Sequence, residues 1–182
     1  SLAEHRDYAI SHRLLFADGR IKHVHEQGRS FYADDGTPLR SVGTVQDITQ
    51  RVLAEQALRG GMHVLCFSDN VAVADEVRLK TLAVEKRLLM MGPDCGTAIL
   101  DGVPLGFANA VARGSIGIVA ASGTGAQEVS RLLDGAGAGV SQLIGVGGRD
   151  LSAEVGGLMA NLALDFLIDD PDTTVIMMVS KP

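Results

Sequence analysis

The chain has no tryptophan, only seven other aromatic residues, five prolines and two cysteines in 182 residues. Two cysteines cannot build the disulfide framework of a small secreted domain. Cys66 and Cys95 lie in or beside apolar runs, and neither CxxC nor paired Cys/His spacing accompanies them. They read as reduced thiols, and the expected location is cytoplasmic. Positive charge is also scarce: 16 Lys and Arg stand against 22 Asp and Glu, a formal net charge of −6. Nucleic-acid binding draws on clustered cations, so nucleic acid is not an expected partner. No apolar run reaches the roughly 20 residues that a spanning helix needs, and the charged start is not a signal peptide. A membrane partner is likewise not expected.

What is present is apolar residues, 46% of the chain, and 22 glycines. That is enough for a substantial core. The glycines are unevenly placed: residues 1–59 hold four of them and four of the five histidines, and residues 60–182 hold the other 18 with His63. Two architectures follow. In the first part Tyr8, Ile10, Leu14 and Phe16, then Val42, Thr44 and Ile48, alternate with polar residues at the strand period. Asp18-Gly19 and Asp35-Gly36 suit hairpin turns, so three strands are expected to pair antiparallel in chain order. After Asp47-Ile48-Thr49 the run QRVLAEQALR predicts a helix.

In the second part apolar runs alternate with amphipathic segments. Strands are expected at 64–67, 88–91, 116–120, 142–146 and 175–179. Helices are expected at 75–87, 127–133 and 152–168, the last stopped by Asp170-Pro171. Such alternation predicts an α/β fold with a parallel sheet covered on both faces. Glu76 and Lys80, four apart, are expected on a solvent-facing helix side.

One stretch carries chemistry. IGIVAASGTGAQEVSRLL, residues 116–133, is a strand that breaks at Ser122-Gly123-Thr124-Gly125 and re-forms as a helix. A helix start presents amides without intrahelical partners and about half a positive charge, so it can cradle an anion. The same residues are equally an ordinary N-cap. Gly145, Gly147, Gly148 and Asp150 form a second glycine-rich turn at a strand end. It either walls the same cleft or is a tight turn needing positive φ. Cys95 has no activating His/Asp pattern and is read as a small buried hydrophobe. His23 and His25 share a strand face without a third ligand, so no metal is expected.

The first part resembles the C-terminal (PAC) portion of PAS domains. The carrying residues are DGRIKHVHEQGRSFYADDGTPLRSVGTVQDITQR, above all the closing Asp47-Ile48-Thr49. His23 stands where PAS relatives usually have Trp. Only the last three strands are matched, which implies an incomplete ligand pocket.

From about residue 61 to 182 the chain resembles the FdrA family, relatives of the α subunit of succinyl-CoA synthetase. HVLCFSDNVAVADEVRLK, MGPDCGTAILDGVPLGFANAV, GSIGIVAASGTGAQEVSRLL, IGVGGRDLSAEVGG and DDPDTTVIMMVSKP carry this resemblance. It implies a Rossmann-like CoA-binding part at 60–112 and a flavodoxin-like ligase part at 113–182, after a PAS part at 1–59. It also implies coenzyme A and a nucleoside triphosphate, and acyl-CoA formation through an acyl phosphate and a phosphohistidine. By that resemblance Phe67-Ser68-Asp69 is the CoA-contacting turn and Gly92-Pro93-Asp94-Cys95 the neighbouring CoA loop. Ser122-Gly123-Thr124-Gly125 becomes the phosphoryl cradle, with Gly147, Gly148 and Asp150 as cleft wall.

Asp94 replaces the Asn of the synthetase branch, Gln127 a substrate-contacting Tyr, and Lys181 a supporting Glu. None of the five histidines sits in a GH-x-G loop, so no catalytic residue is assigned and the segment is expected to be inactive alone. A β-like synthetase subunit or a homo-oligomer is the implied partner. Two alternatives stand beside it: a PAS-type sensory module with a passive α/β output, and a chimera or fragment without function.

Overall fold

In a computed structural model, residues 5–180 are described. They divide into two compact units, with the boundary between residues 53 and 54.

The first unit is a three-stranded antiparallel sheet in the order β1 (His5–Leu15), β2 (Ile21–Tyr32), β3 (Pro38–Asp47). Gly19 and Gly36 take φ of +83° and +82° in the two connecting turns, as the Asp-Gly pairs predict. Direct pairing of Ile10 with Glu26 and of Glu26 with Val45 puts Tyr8, Ile10, Leu14 and Val45 on one face; Ile21 and Val42 lie on the other. Phe16 falls beyond β1, in the turn closed by its own amide donating to Arg20 O. Helix α1 (Thr49–Arg59) then begins at a local cap. Asp47 Oδ1 accepts from the Thr49 amide at 3.0 Å and its hydroxyl at 2.6 Å, while Lys22 Nζ lies 2.8 Å from Asp47 Oδ2.

The second unit is α/β. Its five-stranded sheet runs β10 (Val175–Val179), β8 (Arg113–Ala120), β9 (Val140–Gly145), β6 (Thr97–Leu100), β7 (Val103–Gly106). β10, β8 and β9 are mutually parallel; β6 pairs antiparallel with both β9 and β7. β4 (Val64–Leu65) and β5 (Met90–Met91) pair separately and in parallel. Helices α2 (Val73–Glu85), α3 (Gly123–Gly135) and α4 (Leu158–Asp169) complete the unit. The core gathers Leu58, Leu79, Met90, Val146, Met159 and Leu167 from nearly every layer.

Four expectations need correction. The sheet is mixed rather than purely parallel, because Asp101-Gly102, with φ of +50° and +79°, turns β6 into β7 as a hairpin. Helix α4 starts at Leu158, not Ser152, because Gly156 and Gly157 take φ of +72° and +70°, which a right-handed helix cannot contain. Edge strand β10 leaves Val175 and Met178 about half exposed, so the sheet is not covered throughout. Finally, Glu76 and Lys80 are fully buried, not solvent-facing. They share the i, i+3, i+4, i+7 stripe with Leu79 and Ala83, and that stripe faces the core.

Candidate functional site

Three loops meet at the ends of strands. The 92–96 loop follows β5, the 121–124 turn joins β8 to α3, and the 145–148 turn follows β9. Asp94, Cys95, Gly96, Thr97, Gly123 and Gly147 contribute to one small cavity between them. The void is about 10 Å³, room for about one water molecule.

Glycine makes this convergence possible. Gly147, at φ +89°, lies so close to Pro93 that a Cβ would overlap Pro93 O and Gly92 Cα. Gly92, at φ +103°, approaches Cys66 O in the same way. Positive φ and backbone-to-backbone contact both exclude larger residues here.

At the start of α3, Ser122 adopts an extended conformation, and its Oγ accepts from the Gly125 amide at 3.3 Å. Ser122 therefore caps the helix. The Ala126 amide donates to Ser122 O. The Gly123 and Thr124 amides have no hydrogen-bond partner among the described residues, and both residues are exposed. Helix start and dipole together leave two free donors facing outward. Gly125 is not open: a Cβ there would lie 2.9 Å from Val179 Cγ1 and 3.1 Å from Ser122 Oγ. Gly123 has space, its nearest neighbour being Thr97 Oγ1 at 3.4 Å.

Beside the cavity, Gln127 Nε2 donates to Thr97 Oγ1 at 2.9 Å. Asn109 Nδ2 holds Gln127 O at 2.7 Å and Ser130 Oγ at 3.1 Å. Sequence reasoning missed Thr97 and Asn109, since a lone Thr and a lone Asn in a loop carry no periodic signal. Asp94, the one charged residue lining the cavity, is exposed at φ +59°.

The 67–69 turn is tied to the 92–96 loop: the Asp94 amide donates to Ser68 O and the Cys95 amide to Cys66 O, both at 3.1 Å. Phe67 and Phe107 form an edge-to-face pair with centroids 5.4 Å apart, and both are about two-thirds exposed. Burial pushes the Cys66 and Cys95 thiols up from their ordinary pKa, so both stay protonated at neutral pH and neither is an activated nucleophile.

Of the cleft-wall residues, Gly147 lines the cavity and Gly148 is exposed, but Asp150 is fully buried. Its Oδ1 accepts from Lys80 Nζ at 2.7 Å and the Met159 amide at 3.2 Å; its Oδ2 accepts from the Ala160 amide at 2.8 Å. It caps α4, whose N-cap Gly157 has no side chain to do so. Lys80 Nζ also donates to Glu76 Oε1 at 2.8 Å and Val146 O at 2.9 Å.

No histidine lines the cavity. His63 Nδ1 accepts from the Leu89 amide, and both ring nitrogens of His25 are engaged, by Ser11 and Gln27. Lys181 lies outside the described residues. No helix among the described residues is long and apolar enough to cross a membrane, and no metal-binding cluster of His, Cys, Asp or Glu occurs among them.

These loop ends can be compared with known proteins. No family model matches the chain. The α subunit of ADP-forming succinate–CoA ligase from Aquifex aeolicus is 30% identical over 132 residues, 69% of this chain and 42% of that protein. The α subunit of malate–CoA ligase from Methylorubrum extorquens is 27% identical, over 69% of this chain and 44% of its own length. The uncharacterized protein YahF of Escherichia coli K12 is 60% identical over 129 residues, 71% of this chain but 25% of YahF. The chain thus spans less than half the length of each of these relatives. A dinucleotide-forming acetyl-coenzyme A synthetase from Candidatus Korarchaeum cryptofilum superposes with a TM-score of 0.52 over 71% of this chain and 29% of that one. At 19% identity that likeness is one of fold.

Proposed function

We propose that residues 60–182 are the part of an acid–CoA ligase α chain that receives a phosphorylated group, with residues 60–112 contributing the CoA side and residues 113–182 the phosphoryl side. One observation carries this reading: the 92–96, 121–124 and 145–148 loops converge where two unpartnered amides leave the start of α3. An anion would sit at the mouth over Gly123 and Thr124, with the Thr124 hydroxyl as a third donor, because the void behind them is only water-sized. Fixed amide donors at a helix start stabilise charge on a transferring phosphoryl group without reorganising.

The residues fit a phosphoryl group. For coenzyme A, the Phe67/Phe107 pair offers an apolar surface and the 67–69 and 92–95 turns offer backbone, but neither turn contains a cation, and Asp69 and Asp94 add negative charge. Bound there, coenzyme A would supply the thiol that takes the acyl group. The role of this chain's own residues is to bind and orient. No histidine lines the cavity and none sits in a GH-x-G loop, so on this reading a phosphohistidine would come from another chain or segment, and residues 1–182 alone turn over no acyl-CoA. A β-like ligase subunit is the natural partner on this reading.

Calorimetric titration with inorganic phosphate and with coenzyme A tests it. Gly123→Glu is the informative variant, since the position has room for a side chain and the added carboxylate would occupy the anion site. Phosphate heat that vanishes in this variant supports the reading; no heat from either ligand with wild type would sink it.

The first unit supports a second proposal, that it is the PAC part of a PAS domain. Its three-stranded order and the Asp47–Thr49 cap leading into α1 are the features that favour it. A bound chromophore in the absorption spectrum of the purified chain would favour a sensory role; a spectrum with protein bands alone would count against one.

A further inference from the structure

The second unit buries a charged network that the phosphoryl-receiving role does not use directly. Lys80, Glu76 and Asp150 are fully buried, and Lys80 spends its three donors on three segments: Glu76 within α2, Val146 O at the end of β9, and Asp150 ahead of α4. Arg149, whose side chain is 41% exposed, extends the network. Its Nη2 donates to Val71 O at 2.7 Å and lies 2.9 Å from Glu76 Oε2, an ion pair without a well-aligned hydrogen bond.

These contacts bracket two candidate loops. Val146, Arg149 and Asp150 flank Gly147-Gly148 on both sides. Val71 closes the turn that begins at Phe67, its amide donating to Asp69 O at 2.8 Å. The only covalent route between the two turns runs through more than seventy residues, whereas one guanidinium joins them directly. Replacing the network by apolar packing would serve stability as well or better, so burial of three charges calls for another reason, such as fixing one arrangement among several.

We infer that Arg149, held by the Lys80–Glu76–Asp150 network, is a positioning residue that locks the 67–71 turn, on the coenzyme A side, to the 146–150 turn beside the anion site, so that the two keep one register. The inference rests on the reading of these loops as an anion site, and its test separates the two. In Arg149→Ala the half-exposed side chain leaves and Glu76 keeps its bond from Lys80 through Oε1, so the melting temperature falls by less than in Lys80→Met. Inorganic phosphate affinity falls about tenfold, the low end of what losing an outer-shell partner costs at metal sites. Amide exchange of Val71, Gly147 and Gly148 quickens, and Arg149→Lys restores part of both effects. Arg131→Ala, which removes an ion pair with Glu128 on the exposed side of α3, changes neither.

Unchanged exchange at Val71, Gly147 and Gly148 in Arg149→Ala overturns the latch, whatever the phosphate result. Should wild type bind no phosphate, the anion reading fails on its own, and the exchange rates alone decide the latch: quickened exchange supports it, unchanged exchange overturns it.

Discussion

Residues 5–53 bury two apolar side chains, Val24 and Ile48, and expose apolar residues on both sheet faces, among them Tyr8, Ile10, Val42 and Val45. Residues 54–182 bury 28 apolar side chains, counted from Ala54 to Leu167, and three charged ones. Charges in the first unit pair on the surface, as Asp7 does with Arg29 and Asp47 with Lys22. The second unit has surface pairs as well, such as Arg131 with Glu128, but it also pairs charges inside, Lys80 with Glu76 and Asp150. The difference teaches where each unit's order comes from. Strand pairing and turns specify the sheet with almost no core beneath it, and packing plus a buried ion network specify the α/β unit.

The largest expected effect is on the second unit. Lys80→Met leaves two carboxylates buried with Arg149 as their remaining cation, and breaking such a pair costs about 3–5 kcal/mol. Denaturant unfolding followed at second-unit amides should show that loss, and first-unit amides should keep their midpoint. If both units lost stability equally, the contrast between them would be broken. Leu143→Ala empties a fully buried position and should cost about 2–5 kcal/mol in the same assay. Ser122→Ala removes only the cap on the Gly125 amide and should cost about 1 kcal/mol.

The smallest effect belongs to the first unit. Hydrogen bonds from Lys22 and Thr49 hold the Asp47 carboxyl at about 2, below its ordinary 3.8. A lowered folded-state pKa favours the folded form at higher pH. The contribution is therefore complete above about pH 4 and lost as pH falls toward 2. Being mostly exposed, it should be small and weaken with salt. Chemical shifts of the Thr49 amide through an acid titration report it, and Asp47→Asn should abolish that acid limb. An unchanged limb in Asp47→Asn would assign it to another carboxylate.

Much of this was legible in the residues. Period-two alternation and two Asp-Gly pairs gave the three-stranded meander, and strand 175–179 coincides with its apolar run. The hairpin at Asp101-Gly102 was missed although it carries the same dipeptide, because the flanking strands are only four residues long. The Glu76/Lys80 spacing fits a surface pair and a core stripe equally, and only the packing of α2 decides between them. That Ser122 caps while Gly123 and Thr124 stay open could not be read from SGTG, since cap and cradle use the same residue types. Arg149 carried no signal at all; its role depends on a contact across 78 residues.

The central claim is that the free amides at the start of α3 receive a phosphorylated group. Titrating the isotope-labelled chain with inorganic phosphate and following backbone amides tests it most directly. The account predicts saturable shifts largest at Gly123 and Thr124, lost in Gly123→Glu. Shifts absent there at saturating phosphate, or centred on another part of the chain, would contradict it.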